Sequence, residues 1–120
     1  MSISGAELVG RVRNEVACIA PAEAPAFLQG NPGAVIVDVR EPAEHSAAAL
    51  RNAVHIPRGV LEFKISEHCS AEDAPLLLHC AGGGRAILAA RTLAEMGYTN
   101  VRAVAGSFEE LAAALEPTAG

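Results

Sequence analysis

The sequence contains no tryptophan, and its only aromatic residues are three phenylalanines and one tyrosine. The core must therefore be filled mainly by alanine, valine, leucine and isoleucine, which suit close packing of helices on a sheet. With 120 residues and 51% hydrophobic composition, the chain is long enough for one core and short for two. We expect a single domain over residues 1–120, with its core at about 16–115 between a short N-terminal helix and a frayed tail at 117–120.

Basic residues are also scarce, and the formal net charge is −5. Non-specific nucleic-acid binding depends on lysine and arginine meeting phosphates, so we expect no nucleic-acid partner. No run of about 18 uncharged apolar residues indicates a membrane span. The N-terminus also lacks the basic start and apolar run of a signal peptide. We therefore expect a cytoplasmic protein with no membrane partner.

The chain has three cysteines, Cys18, Cys69 and Cys80, with irregular spacing and no Cys-x-x-Cys pair. This pattern excludes a disulfide framework and a zinc ribbon, and it favours a reducing compartment. Cys18 lies in a predicted strand, where a cysteine usually acts as a small buried hydrophobe. Cys69 lies in a polar turn, where an incidental thiol is favoured over one that resolves an oxidised or sulfur-loaded Cys80.

Short apolar segments alternate with segments of helical periodicity along the chain. The apolar segments predict strands at 16–19, 34–39, 53–57, 76–79 and 101–104, and the periodic ones predict helices at 6–15, 21–28, from 41, at 61–67, 85–96 and from 107 to about 115. The run at 34–39 is β-branched without polar alternation, which is typical of a strand covered on both faces. We therefore predict an α/β fold of three layers, with a mostly parallel sheet of about five strands.

The helix predicted at 85–96 has an apolar face, and Gly97 is expected to end it. The residues of that face are Ala86, Ile87, Ala89, Ala90, Leu93 and Met96.

The most informative segment is the one in which an apolar strand ends on Cys80 and a glycine-rich turn, Ala81 to Gly84, opens a helix at Arg85. Gly82, Gly83 and Gly84 tolerate positive φ and leave room for backbone N–H groups to point at an anion. The partial positive charge of the helix N-terminus adds to this effect. Both features favour an ionised thiolate, so Cys80 is the candidate nucleophile. This hypothesis requires a sulfur that solvent can reach and amides that point toward it.

Other polar residues near this segment have two competing interpretations. Arg85 stands where a cation opposes the helix dipole, which favours a role in holding an anionic donor over a structural ion pair. Arg58 and Asp38 are candidates for the same pocket, although Asp38 is better explained as a cap for neighbouring backbone. His79 is not favoured as a base for Cys80, because neighbours on a strand point to opposite faces.

Four segments follow one another along the chain: Val37-Asp38-Val39-Arg40-Glu41-Pro42, His55-Ile56-Pro57-Arg58-Gly59, Cys80-Ala81-Gly82-Gly83-Gly84-Arg85 and Gly97-Tyr98-Thr99-Asn100-Val101. In this order they resemble the successive signatures of the single-domain rhodaneses, over about residues 19–115. The resemblance implies a rhodanese-type sulfurtransferase, of the thiosulfate:cyanide class. A cysteine thiolate would take the outer sulfur of thiosulfate or a similar small anionic donor as a persulfide. Cyanide, a thiol or a sulfur-accepting protein would then receive that sulfur, without a metal or organic cofactor.

Two of the departures from the family pattern bear on the proposed chemistry. Residues 49–53 stand where many relatives have Gly-His-Ile-Pro-Gly-Ala, and Ala81 stands where thiosulfate-using relatives often have a basic or polar residue. These departures keep open a non-catalytic binding module as the alternative. A thiol phosphatase or arsenate reductase is less favoured, because the rhodanese-like phosphatases place one residue more between cysteine and arginine than this chain does.

Overall fold

The computed structural model describes residues 1–116, so the tail predicted to fray lies outside the described residues. Five strands form one sheet: β1 (Cys18–Ile19), β2 (Val35–Asp38), β3 (Ala53–His55), β4 (Leu76–His79) and β5 (Val101–Val104). Their order across the sheet is β1-β5-β4-β2-β3, and every pair of neighbours is parallel. The predicted parallel sheet is thus confirmed.

Six α-helices connect or flank these strands: α1 (Gly5–Val12), α2 (Ala24–Gly30), α3 (Pro42–Ala47), α4 (Leu61–Lys64), α5 (Gly84–Glu95) and α6 (Phe108–Leu115). Single turns of 3₁₀ helix precede α2 at Pro21–Glu23, precede α4 at Arg58–Val60 and follow it at Ile65–Glu67. Ser4 and Ser107 cap α1 and α6, each in a capping box with a glutamate three residues later. No helix in the described part of the chain is long and apolar enough to cross a membrane.

The helices cover both faces of the sheet, as predicted. Alternate residues of β4 show this arrangement, since Leu76 and Leu78 pack with α1, α4 and α5, whereas Leu77 packs with α2 and α6. All four residues of β4 are buried, which explains why this strand has no polar alternation. The two clusters form the core on opposite faces of the sheet.

Some local predictions were wrong. Helix α1 ends at Val12 rather than at residue 15, and β1 begins at Cys18 rather than at residue 16, because residues 13–16 form a turn. Met96 was predicted to join the apolar face of α5, but it is 45% exposed. The reason is that α5 ends at Glu95 and Gly97 then turns the chain away with a φ of 104°.

The candidate site lies at the carboxyl ends of the central strands. Asp38 on β2 is in register with His55 on β3 and with His79 on β4. Cys80 directly follows β4, so it lies at the same edge of the sheet as these three polar residues. In open parallel sheets this edge is where ligands usually bind.

Candidate active site

Residues 80–85 curve around the sulfur of Cys80. The backbone N–H of Gly83 donates to Cys80 Sγ over 3.1 Å, so at least one amide of the turn points inward. Gly83 adopts a φ of 111°, which is costly for any residue with a Cβ. A Cβ there would also lie 3.2 Å from Gly106 N and from Val104 O. The glycine therefore permits both the turn and its close packing on the segment after β5.

The turn covers the thiol more completely than the sequence suggested. Cys80 is only 2% exposed, whereas Ala81 and Gly82 are exposed. Of the two requirements of the nucleophile hypothesis, the inward-pointing amide is present, but the expectation of an open thiol at the mouth of the loop is wrong. Apolar residues pack below the sulfur, because Cys80 belongs to the core cluster on the α5 face. A reactant must be narrow at its reacting end to reach this sulfur.

The loop is also tied to the start of α6. The backbone N–H of Phe108 donates to the carbonyl of Ala81 over 2.9 Å. The Phe108 ring lies 4.1 Å from the guanidinium carbon of Arg40, and its centroid lies 5.9 Å from that of the His79 ring. Phe108 thus joins the loop to two buried polar residues, a role that its sequence position did not reveal.

Arg85, predicted to hold an anion, is paired with Glu44 instead. The Nη1 and Nη2 atoms of Arg85 donate to Glu44 Oε1 and Oε2 over 2.7 and 2.9 Å. Both side chains are about one-third exposed. These hydrogen bonds from Arg85 lower the pKa of Glu44 to about 2, and they raise the pKa of Arg85. The ion-pair alternative considered for Arg85 is thus the one present in this structure.

Arg58 does not join the loop. It donates to Glu62 Oε2 over 2.9 Å and to Thr92 Oγ1 over 3.1 Å. Thr92 lies eight residues after Gly84 on α5, which is about 12 Å along the helix axis. The structure therefore places Arg58 beside the second half of α5, away from the glycine-rich turn.

Asp38 is fully buried and holds the neighbouring loop. Its carboxylate accepts from Arg40 Nε at 3.0 Å, from Arg40 Nη2 at 2.9 Å and from His45 Nδ1 at 2.8 Å. Burial alone would raise the pKa of Asp38, but the hydrogen bonds from Arg40 and His45 lower it far below its usual range. Arg40 also donates to the carbonyl of Ala48. Asp38 therefore organises the segment that carries Glu44, and its carboxylate does not face the thiol loop as a free group.

Two histidines extend this network. The ring of His55 stacks on that of His45 with 4.3 Å between centroids, and its Nε2–H donates to the carbonyl of Arg40 over 2.9 Å. His55 is thus engaged in structural contacts.

His79 lies on the opposite side of the sheet from the thiol, against Phe108, as strand alternation predicts. It is 1% exposed, and within the described residues neither ring nitrogen meets a hydrogen-bond partner. Burial lowers the pKa of His79 to about 4, so the ring is neutral at pH 7. His79 therefore does not act as a base on Cys80.

The other cysteines lie apart from the amide turn. Cys18 is half-buried in β1, and Cys69 is buried, with its thiol 3.5 Å from the carbonyl of Ala71. Burial raises the pKa of both thiols, which favours the protonated form. Among residues 1–116, no three His, Cys, Asp or Glu side chains are grouped so as to hold a metal ion.

One protein family matches most of the chain. The family model of the Rhodanese-like domain matches residues 21–114. The chain belongs to the rhodanese family. The family-model match and the fold therefore agree with the resemblance to single-domain rhodaneses that the four sequence motifs indicated.

Curated relatives within this family carry names that describe an activity. The chain is 35% identical over 78 residues to the thiosulfate sulfurtransferase GlpE of Pseudomonas entomophila, covering 64% of this chain and 69% of that protein. It is 33% identical over 90 residues to GlpE of Pseudomonas putida F1, covering 74% of this chain and 79% of that protein. These relatives support a sulfurtransferase class for this rhodanese.

A solved structure similar over nearly the whole length carries a different description. It is a protein of Rhodopseudomonas palustris described as a possible tyrosine phosphatase, 27% identical, with a TM-score of 0.81. The match covers 98% of this chain and 95% of that one. The similarity to this structure therefore extends to α1, which lies before the family-model match.

Proposed function

We propose that this protein is a sulfurtransferase that carries a sulfane sulfur on Cys80. The Gly83 amide directed at Cys80 Sγ is the observation that carries the proposal. An amide in this position stabilises negative charge on sulfur, and it does so for a thiolate and for the persulfide that follows. The sulfurtransferase names of the GlpE relatives support the same chemistry.

The proposed reaction has two displacements at sulfur. The Cys80 thiolate attacks the outer sulfur of the donor, the bond between that sulfur and the rest of the donor breaks, and the leaving group keeps the electron pair. Sulfite leaves from thiosulfate, and a thiolate leaves from a persulfide. Cyanide or a thiolate acceptor then attacks the outer sulfur of the Cys80 persulfide and releases the Cys80 thiolate. Both steps balance without a cofactor.

The remaining parts of the site have positioning roles in this proposal. The start of α5 adds the positive end of its dipole to the loop, because Gly84 begins that helix. Arg85 binds Glu44, and this pair joins the start of α5 to α3. We further propose that the protein acts in a reducing, cytoplasmic setting, since such a setting keeps Cys80 and thiol acceptors in the reduced form.

The direct test is intact-mass measurement after incubation with thiosulfate and, separately, with an alkyl persulfide. One added sulfur atom is expected with at least one donor, and cyanide should remove it. Cys80→Ser should abolish the adduct, whereas Cys18→Ser and Cys69→Ser should retain it. Absence of an adduct with both donors would overturn the proposal.

The same samples discriminate the two alternatives. Cys80-dependent hydrolysis of an aryl phosphate without a sulfur adduct would favour a thiol phosphatase. Neither activity, in a protein that is folded by circular dichroism, would favour a non-catalytic binding module. The four residues between Cys80 and Arg85 favour sulfur over a phosphoryl group, because a shorter loop encloses a smaller ligand.

A further inference from the structure

The ion pair between Arg85 and Glu44 sets how much positive charge is available at the end of the loop that holds Cys80. It uses both oxygens of the carboxylate and both terminal nitrogens of the guanidinium, so neither partner has a full free charge. Arg85 follows directly after the glycine-rich turn whose Gly83 N–H contacts Cys80 Sγ, so the pair lies at the same loop as the thiol. The positive charge of Arg85 at the end of the loop is therefore already offset by the carboxylate of Glu44.

Two other arginines, Arg40 and Arg58, do not supply the loop with an unpaired positive charge. Arg40 is bound by Asp38, and Arg58 is bound by Glu62. Ala81, directly after the cysteine, carries no charge, although it is exposed at the loop. Among the described residues predicted for the site, every arginine is thus paired with a carboxylate.

We propose that Glu44 is a specificity-determining residue that restricts the site to sulfur donors of low negative charge. The inference rests on the proposed function and names its donor class, an alkyl persulfide with at most one negative charge. In this reaction the Cys80 thiolate attacks the persulfide R–S–SH. The products are the Cys80 persulfide, Cys80–S–SH, and the thiolate R–S⁻. The outer sulfur moves, the inner S–S bond breaks, and R–S⁻ leaves with the electron pair.

Charge distinguishes this donor from thiosulfate. A dianion approaching a thiolate brings three negative charges together, and an arginine already neutralised by Glu44 offsets little of their repulsion. A neutral or monoanionic persulfide brings at most two. The donor's reacting end must also be narrow, since Cys80 is 2% exposed, and the terminal sulfur of a persulfide is a single atom.

The test compares Glu44→Gln with a matched control, Glu95→Gln. Glutamine keeps an oxygen that accepts from the backbone N–H of Glu41, as Glu44 does over 2.9 Å, so α3 retains its cap. Glu95 also faces an arginine on α5, but it is 71% exposed and its nearest Arg91 contact is 3.9 Å. Each variant removes one negative charge from the protein, and only the first removes it beside the thiol.

We expect Glu44→Gln to raise the ratio of kcat/KM for thiosulfate to kcat/KM for an alkyl persulfide by about 5-fold. The ratio should stay at the wild-type value in Glu95→Gln. Added salt should raise the wild-type rate with thiosulfate, since it screens repulsion, and this dependence should weaken in Glu44→Gln. An unchanged or lower ratio in Glu44→Gln would overturn the inference.

A binding measurement separates this inference from the proposed function. In a Cys80→Ser background no sulfur can be transferred, so calorimetry reports only thiosulfate affinity. Adding Glu44→Gln should tighten thiosulfate binding by about 5-fold, and adding Glu95→Gln should not. Equal affinities would refute the role of Glu44 even if Cys80 accepts sulfur. Lack of any Cys80 adduct in the wild-type protein would refute the proposed function and the persulfide assignment together.

Discussion

The backbone N–H of Phe108 donates to the carbonyl of Ala81, joining the first residue of α6 to the residue after the candidate nucleophile. The position of the loop therefore depends on how well α6 begins. Ser107 fixes that beginning, because its hydroxyl accepts from the backbone N–H of Glu110 over 3.0 Å.

Ser107→Ala should lower both the stability and the rate of sulfur loading. Loss of the cap should cost about 1 kcal/mol in the free energy of unfolding, measured with urea. Ser4→Ala removes the equivalent cap from α1 and should cost a similar amount. The initial loading rate at Cys80 should fall in Ser107→Ala alone, and equal rates in the two variants would argue against the Phe108 link.

Gly83→Ala should disrupt the amide turn. The substitution places a Cβ at a φ of 111° and 3.2 to 3.3 Å from backbone atoms of residues 104–106. We expect a loss of about 1 to 3 kcal/mol in stability, and sulfur loading reduced at least about tenfold as the Gly83 N–H moves from the sulfur. Urea unfolding and mass-detected loading measure the two effects.

Gly82→Ala is the matched control for this experiment. A Cβ at Gly82 meets no atom within 4 Å, and the residue does not have a positive φ. It should retain nearly wild-type stability and loading. If Gly83→Ala behaved like Gly82→Ala, the packing of the turn on residues 104–106 would not be what positions the amide.

Arg40→Lys should be strongly destabilising although it conserves charge. Arg40 is 4% exposed and binds Asp38 through two guanidinium nitrogens while covering the ring of Phe108. Lysine offers a single ammonium and leaves part of a buried carboxylate unpaired, at a cost of about 2 to 4 kcal/mol. Arg91→Lys, on the exposed surface of α5, should cost less than about 0.5 kcal/mol. Similar unfolding midpoints for the two variants would contradict the role of the Asp38–Arg40 pair.

His79 should make the protein sensitive to acid. Burial lowers its pKa from 6.5 to about 4, so the unfolded chain binds the proton more readily than the folded one. Stability is therefore full above about pH 6.5 and falls as the pH drops toward 4, by about 3 kcal/mol for this group. Paired Glu44, whose pKa is lowered to about 2, adds a further loss below its ordinary pKa.

His79→Leu tests this assignment. Leucine removes the titrating ring and its unpartnered nitrogens, so stability at pH 7 should be maintained or increased. The decrease between pH 6.5 and 4 should become shallower, as measured by urea unfolding at each pH. An unchanged pH profile would assign the acid sensitivity to another group.

The sequence predicted the elements that depend on local pattern. Strands β4 and β5 have the bounds expected from their apolar runs, and the last helix begins at the position expected, where Ser107 caps it. The turn at Gly83 could be anticipated because a strand, a glycine run and a helix follow one another directly. These features arise within about ten residues of chain, where periodicity and glycine chemistry dominate.

The electrostatics of the site could not be predicted in the same way. Glu44 and Arg85 are 41 residues apart, and they meet only because α3 and the start of α5 flank the same edge of the sheet. The burial of Arg40 likewise depends on Phe108, which arrives from the last helix. The sequence shows Arg40, Glu41 and Glu44 close together along the chain, but their spacing does not reveal which charged groups each one meets.

If Cys80 carries sulfur as proposed, the buried position of its Sγ gives the two sulfurs of the persulfide different exposures. Cys80 Sγ remains in the protein, and the outer sulfur is the atom that is transferred. The outer sulfur of a persulfide stands about 2 Å beyond the inner one. The sulfur-loaded protein then presents the transferable outer sulfur at the rim of the loop, while Cys80 Sγ stays buried beneath it. A bulky alkylating reagent should accordingly label the loaded enzyme faster than the empty one, and a reductant should release that label together with the transferred atom.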